Sequence, residues 1–350
     1  MNFTAVGLAL TSAALFGLSA PVAKLLLRAS EGWTLAGLLY SGAGIGLLLV
    51  HLARRSGAAR SEAQLSRREL PWLAAAVLAG GVIGPVLLLQ GLSHLTASSA
   101  SLLLTLEGVL TALLAWFVFR ENFDRRIAIG MACILAGAVV LNWGDDIALH
   151  DLIGPLAIAG ACLAWAIDNN LTRKVSLSDP VQIAMIKGLV AGPVSLLIGR
   201  LMGQGFPPPS IVALSGLTGF LGYGVSLVLF VTALRHLGTA RTAAYYSIAP
   251  FVGAVASVMI FGDAVTPQLA LAGVLMAIGV WLHLTERHAH EHQHEALEHS
   301  HRHIHDAHHD HLHEDEASVD RSRPHNHRHV HGPIRHTHAH VPDSHHRHVH

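Results

Sequence analysis

The chain has 350 residues, of which 51% are apolar and only 13% charged, and its formal net charge is zero. A soluble domain of this length carries about 25% charged residues, so a soluble globular protein is excluded for most of the chain. The zero net charge averages two unlike regions: apolar stretches run to about Glu286, and the final 64 residues hold 23 of the 28 histidines.

A bilayer core about 30 Å thick needs roughly 20 apolar residues per helix. Ten stretches meet that length, and helices suit them because each satisfies its own backbone hydrogen bonds in lipid. In the first half they are Phe3–Leu27, Trp33–Leu52, Leu70–Leu92, Ala97–Phe119 and Ile127–Trp143. The second half gives Leu152–Leu171, Val181–Ile198, Ile211–Leu234, Ala240–Phe261 and Gln268–Leu284. The first stretch contains Pro21 and Lys24 and has no positive region before it, so it reads as a retained span and not a cleaved leader. Cys133 and Cys162 fall inside apolar stretches and read as buried small hydrophobes, with no redox CxxC pair.

Positive charge in short loops sets orientation. One set of loops carries Arg54, Arg55, Arg60, Arg67 and Arg68, then Arg120, Arg125 and Arg126, then Arg173 and Lys174, then Arg235 and Arg241. The opposite loops hold Arg28 and Arg200 beside Asp145, Asp146, Asp151 and Asp263. A multi-pass protein of the inner cell membrane with both termini in the cytoplasm is the expected arrangement.

Shifting the chain by 142 residues places Gly80, Leu87, Leu92, His94 and Leu95 on Gly222, Leu229, Leu234, His236 and Leu237. Ala112, Phe119 and Gly137 fall on Ala254, Phe261 and Gly279, and Glu121 meets Asp263. Five spans per half is an odd number, so two copies of one unit sit in opposite orientations. The expected fold is an all-α integral membrane protein of ten helices in two inverted five-helix repeats. The predicted divisions are 1–145 and 146–286 for the repeats and 287–350 for a disordered histidine-rich cytoplasmic tail. Inverted repeats are the architecture of many secondary transporters, with the solute site near the midplane.

The run from Leu106-Glu107-Gly108-Val109-Leu110-Thr111 to Phe119-Arg120-Glu121 resembles the end of a repeat of the EamA family, in the drug/metabolite transporter superfamily. The run from Ala249-Pro250-Phe251 to Phe261-Gly262-Asp263 resembles the same pattern with its usual proline, which the first copy replaces by Gly108. The openings Ala14-Leu15-Phe16-Gly17 and Leu163-Ala164-Trp165-Ala166 are similar to the family too. The resemblance covers about residues 3–284 and implies a ten-helix carrier of small solutes driven by a gradient. It does not name the solute.

An ionisable group at the centre of a membrane helix costs about 2.5–3.5 kcal/mol on insertion scales, so each one needs a reason. Glu107 lies near the midplane of the fourth stretch. Its carboxylate is a candidate for proton exchange or for holding a cationic solute; the structural alternative is a protonated side chain bonded to a neighbouring helix. Asp168 and Lys187 lie at depths differing by about 3 Å on consecutive stretches, which predicts an ion pair, either static or opening with a cytoplasmic gate. Asn169 and Asn170 are polar where lipid offers no partners, and line a solute path or bond between helices. One of Tyr245 and Tyr246 is expected to face the cavity, and Tyr245 is the residue assigned to the path. Lys24 is close enough to the outer end to snorkel. Gly42-x-x-x-Gly46 and Gly80-x-x-x-Gly84 allow close helix approach. Gly222-Tyr223-Gly224 lacks the preceding residues of a potassium filter and occurs once.

In the tail, His288, His290, His292 and His294 alternate, as do His299, His301, His303 and His305, and His308, His309, His311 and His313 follow among Asp and Glu residues. A third group runs from His325 to His331, with others to His350. Imidazole in this pattern suits exchangeable Zn, Ni, Cu or Co. No cofactor is required, and a divalent transition metal on the tail is expected. The tail either collects or senses metal for the carrier, which then moves a divalent transition metal, or buffers metal beside a carrier of small organic metabolites. A membrane-anchored metal sensor without transport is a third reading. An enzyme is not expected, since HExxH and GxGD spacings are absent. The expected partners are the lipid bilayer and a small-molecule or metal-ion substrate, with no nucleic acid, and a homodimer stays open.

Overall fold

The computed structural model describes residues 3–56, 65–119, 125–143, 152–172, 175, 178–237, 242, 245–284, 289–293, 297–303, 325–331 and 335–339. The first half contains α1 (Phe3–Leu26), α2 (Gly32–Ser56), α3 (Leu70–Ala76), α4 (Gly84–His94), α5 (Ala97–Leu103), α6 (Leu106–Phe119) and α7 (Arg125–Leu141). The second contains α8 (Ile153–Thr172), α9 (Pro180–Leu201), α10 (Pro209–Gly219), α11 (Ser226–Leu237), α12 (Ala249–Phe261) and α13 (Pro267–Leu284). Helix starts follow local chemistry. Asp179 accepts from the Val181 amide at 2.9 Å ahead of Pro180, and the Thr96 hydroxyl accepts from the Ser99 amide at 3.2 Å. Gly262, at φ 67°, ends α12 in the left-handed conformation.

Among the described residues, six helical segments are long and apolar enough to cross a bilayer: Thr4–Leu26, Gly32–Arg54, Leu70–His94, Ala97–Leu114, Pro180–Leu201 and Pro209–Ala233. Each lies on one of the apolar stretches read from the sequence. The protein is an all-helical integral membrane protein over this region, and α7, α8, α12 and α13 occupy the other four stretches. Its side chains are distributed as lipid requires. Many interior positions hold small residues, such as Ala9, Ala23, Ala36, Ala100 and Ala161, while Leu49, Leu201, Phe117 and Met259 point outward. Helices in lipid associate by close packing, which small residues permit.

The largest interfaces each join the first half to the second: α2 with α9, α7 with α13, α4 with α8, and α1 with both α11 and α12. At the α2–α9 contact the backbones of Gly44 and Gly188 touch, and a Cβ on Gly44 would lie 2.5 Å from the Leu189 nitrogen.

Two long segments are interrupted by wide π-helical turns, Val77–Ile83 between α3 and α4 and Phe220–Val225 between α10 and α11. Gly80 and Gly222, 142 residues apart, sit within these turns. Two further breaks fall at Leu104–Thr105, between α5 and α6, and at Ser247–Ile248, before α12.

Four segments of the tail are described. Its described residues are extended and paired: β1 (Ala289–Gln293) lies antiparallel to β4 (Arg335–Ala339), and β2 (Leu297–His303) antiparallel to β3 (His325–His331). Low hydrophobicity argued for disorder, yet alternating His-x-His also has the two-residue period of a strand. That period prevails in these four segments.

Candidate functional site

The break at Leu104–Thr105 places Glu107 in the first turn of α6, within a membrane-spanning segment. Its carboxylate is half-buried and accepts a hydrogen bond from Asn169 Nδ2 of α8 at 2.7 Å. Asn169 itself is exposed, so the pair borders open space. Asn170, the other asparagine expected to line a path, instead donates to the Ala166 carbonyl of its own helix at 2.8 Å.

One residue before Asn169, Asp168 faces α9. Lys187 Nζ lies 2.5 Å from Asp168 Oδ1, and both residues are buried, 8% and 6% exposed. Thr172 Oγ1 donates to the same carboxylate oxygen at 2.8 Å and accepts from Lys187 Nζ at 2.8 Å. The two charges and the hydroxyl thus form a closed triangle, which a buried pair needs to offset desolvation.

The triangle rests on the first wide turn. A Cβ on Gly80 would overlap the Asp168 carboxylate. The Gly80 carbonyl accepts from Tyr40 Oη of α2 at 2.7 Å and from Trp165 Nε1 of α8 at 3.0 Å. Two side chains from neighbouring helices thus converge on one carbonyl of the wide turn.

Tyr40 and Trp165 are also part of an aromatic cluster. Phe16 on α1 has ring centroids 5.9 Å from Trp165, 6.1 Å from Tyr223 and 5.7 Å from Tyr246. Tyr40 lies 5.3 Å from Tyr223, and Phe230 4.7 Å from Tyr246. Of the adjacent tyrosines, Tyr246 is the one whose ring meets Phe16 and Phe230, and Tyr245 is half-buried beside it. Tyr223, from the Gly-Tyr-Gly run, is buried in this cluster. Phe16, Trp165 and Tyr223 were noted in sequence motifs but not assigned to a site, and Tyr40 was not noted at all. The Gly80-Gly81 and Gly222-x-Gly224 spacings at one repeat offset were the available signal for the wide turns beside them.

Lys24 donates to the Leu95 carbonyl and is half-buried, so it is tied to the neighbouring helix as well as to the membrane edge. Of the predicted metal-binding histidines, His290 and His292 fall on β1 and His299, His301 and His303 on β2. His288, His294, His305, His308, His309, His311 and His313 lie outside the described residues. Within the described membrane helices no three His, Cys, Asp or Glu side chains converge on a common point.

The EamA-like transporter family profile matches residues 3–143 and again 152–285. A protein of Methanothermobacter thermautotrophicus named an uncharacterized transporter is 28% identical over 290 residues, covering 78% of this chain and 84% of its own. A probable terminal-alkyne amino-acid exporter of Streptantibioticus cattleyicolor is 28% identical over 61% of this chain and 73% of its own length. A probable amino-acid metabolite efflux pump of Salmonella typhimurium is 24% identical over 54% of this chain and 67% of its own. One solved crystal structure shares the fold with a TM-score of 0.59 at 21% identity, over 80% of this chain and 95% of the other. With both halves matched in turn, the chain belongs to the EamA-like transporter family.

Proposed function

We propose that this transporter is a secondary carrier that exports a small organic solute bearing an ammonium group. The observation that carries the reading is Glu107, a half-buried carboxylate held by Asn169 at a helix break within a span, in a helix bundle that also holds the aromatic cluster of Phe16 and Tyr246. A carboxylate neutralises an ammonium, and aromatic faces within about 6 Å add cation–π attraction. Relatives named as amino-acid exporters carry solutes of that class. The metal-cargo reading is less well supported, since Asp168 is committed to Lys187 and no three His, Cys, Asp or Glu side chains converge among the described residues.

The carrier is proposed to be ten helices in two inverted repeats, 1–145 and 146–286, working by alternating access with both termini in the cytoplasm. The interfaces support this. Number the spans one to ten and exchange each with its counterpart five places on. The contacts two–seven, five–ten and four–nine then map onto themselves, three–six onto one–eight, and one–nine onto four–six, all of which are present.

The test is transport by the full chain in liposomes. The probes are a labelled neutral amino acid, an alkylamine, a carboxylic acid without an amine, and nickel, cobalt and zinc salts. Amine-bearing probes are expected to move, and Glu107→Gln to slow them about tenfold to a hundredfold, the loss of one charge-assisted contact of about 1.5–3 kcal/mol. Movement of the carboxylic acid alone, unaffected by Glu107→Gln, sinks the proposal. Glu107-dependent metal movement restores the metal reading.

A further inference from the structure

The register of the tail strands brings together histidines far apart in sequence. In β2 and β3, His299 pairs with His329, His301 with His327 and His303 with His325. In β1 and β4, His290 pairs with His338 and His292 with His336. Residues directly opposite in an antiparallel pair share a face, and residues two apart along a strand share it too. The three pairs of β2–β3 therefore occupy successive positions on one face. The other face carries Glu298 opposite Val330, Ser300 opposite Arg328 and Arg302 opposite Asn326.

We propose that this ladder is a binding site for divalent transition metal, held between strands by facing histidine pairs and not by neighbours within one run. Facing positions have Cβ atoms about 4.5–5.5 Å apart, which lets two imidazoles reach one ion at the usual metal–nitrogen distance of about 2.0–2.1 Å. Nitrogen ligands of this kind take Zn, Ni, Cu or Co. Because the partners come from different strands, metal binding and strand pairing stabilise each other. A disordered histidine tail has no such linkage. Histidine recurs at every second position on both strands, so a two-residue slip still sets histidine against histidine. Only a one-residue slip destroys the ladder, and parity is the property the site depends on. The inference concerns the tail alone and does not rest on the solute proposed for the membrane domain.

Parity can be inverted without changing composition. On β2, exchange neighbours by Glu298→His with His299→Glu, Ser300→His with His301→Ser, and Arg302→His with His303→Arg. The histidines then oppose Val330, Arg328 and Asn326. On β3, the exchange is His325→Asn with Asn326→His, His327→Arg with Arg328→His, and His329→Val with Val330→His. Both exchanges together restore three facing pairs on the opposite face. All four full-length proteins keep 28 histidines and an untouched membrane domain. Each is titrated in detergent with zinc chloride and nickel chloride by calorimetry. Each single exchange is expected to weaken the tightest sites about tenfold, the loss of a second tethered ligand, and the double exchange to recover the affinity. Equal binding by all four proteins overturns the ladder. So does a double exchange no tighter than the singles, since the particular residues and not their register would then matter.

Discussion

Neutralising Lys187 tests the buried triangle directly. Lys187→Met keeps most of the side chain's length and apolar stem but leaves Asp168, 8% exposed, without its counter-ion. Removing one partner of a buried pair costs about 3–5 kcal/mol. Thr172 still donates to Asp168 Oδ1, and one retained hydrogen bond is worth about 1 kcal/mol, so the lower end of about 3 kcal/mol applies. For a chain of this size that lowers the unfolding midpoint by roughly 4 °C. Asp168→Asn strands the ammonium and costs a similar amount. The double variant Asp168→Asn with Lys187→Met leaves no charge, and its loss is expected to stay below about 1.5 kcal/mol, since neutral replacement of a buried pair is often harmless. Thermal unfolding of the four proteins in one detergent gives the coupling. Additive losses, with the double variant down by about 6 kcal/mol, would refute the reasoning, because the two charges would then not be stabilising each other.

Gly80→Ala inserts a methyl group against the Asp168 carboxylate, and is expected to destabilise by about 1–3 kcal/mol, whereas Gly108→Ala meets nothing within 4 Å and is expected to be neutral or slightly stabilising in the same melt. Tyr246→Leu removes a ring from beside Phe16, and under the proposed function should raise KM for an amine solute about threefold to thirtyfold, while Tyr246→Phe keeps the ring and most of the affinity. Asn169→Ala frees the Glu107 carboxylate from the Asn169 amide, and a fall in transport with an unchanged melting midpoint is the expected result, since Asn169 is exposed.

The meeting of Asp168 with Lys187 was legible because charges in apolar stretches are few and depth along a helix can be counted from its end. The pairing of Glu107 with Asn169 was not, although both residues were singled out. It joins the fourth and sixth stretches, which are not consecutive, and no sequence rule chooses among non-consecutive neighbours. The aromatic cluster was illegible for another reason. Phe16, Trp165 and Tyr223 lie in stretches that are apolar all round, so periodicity does not distinguish a ring facing the interior from one facing lipid. The tail illustrates competing signals, since its composition reads as disorder while its spacing reads as strand.

The repeat also clarifies why the triangle sits where it does. The family profile begins at residue 3 in one half and at 152 in the other, an offset that sets Ser19 against Asp168 and Phe16 against Trp165. Both members of the first pair meet the glycine of a wide turn: Asp168 packs on Gly80, and a Cβ on Gly222 would come 2.7 Å from that of Ser19. In the proposed orientation the Gly80 contact lies toward the cytoplasm and the Gly222 contact toward the outside. One is clamped by a buried ion pair and the other by a neutral hydroxyl that bonds its own helix at the Phe16 carbonyl. Parting α8 from α9 breaks that ion pair, whereas the second contact has no charges to separate. The helix that carries Asp168 also carries Asn169, whose amide is bound to Glu107. An ammonium arriving at Glu107 competes for that carboxylate and releases the amide next to the clamp. Under the proposed carrier mechanism, α8 is thus the element through which occupancy of the solute site reaches the cytoplasmic closure, and the differential binding needed to shift the two states is applied one residue from the charge that holds it shut.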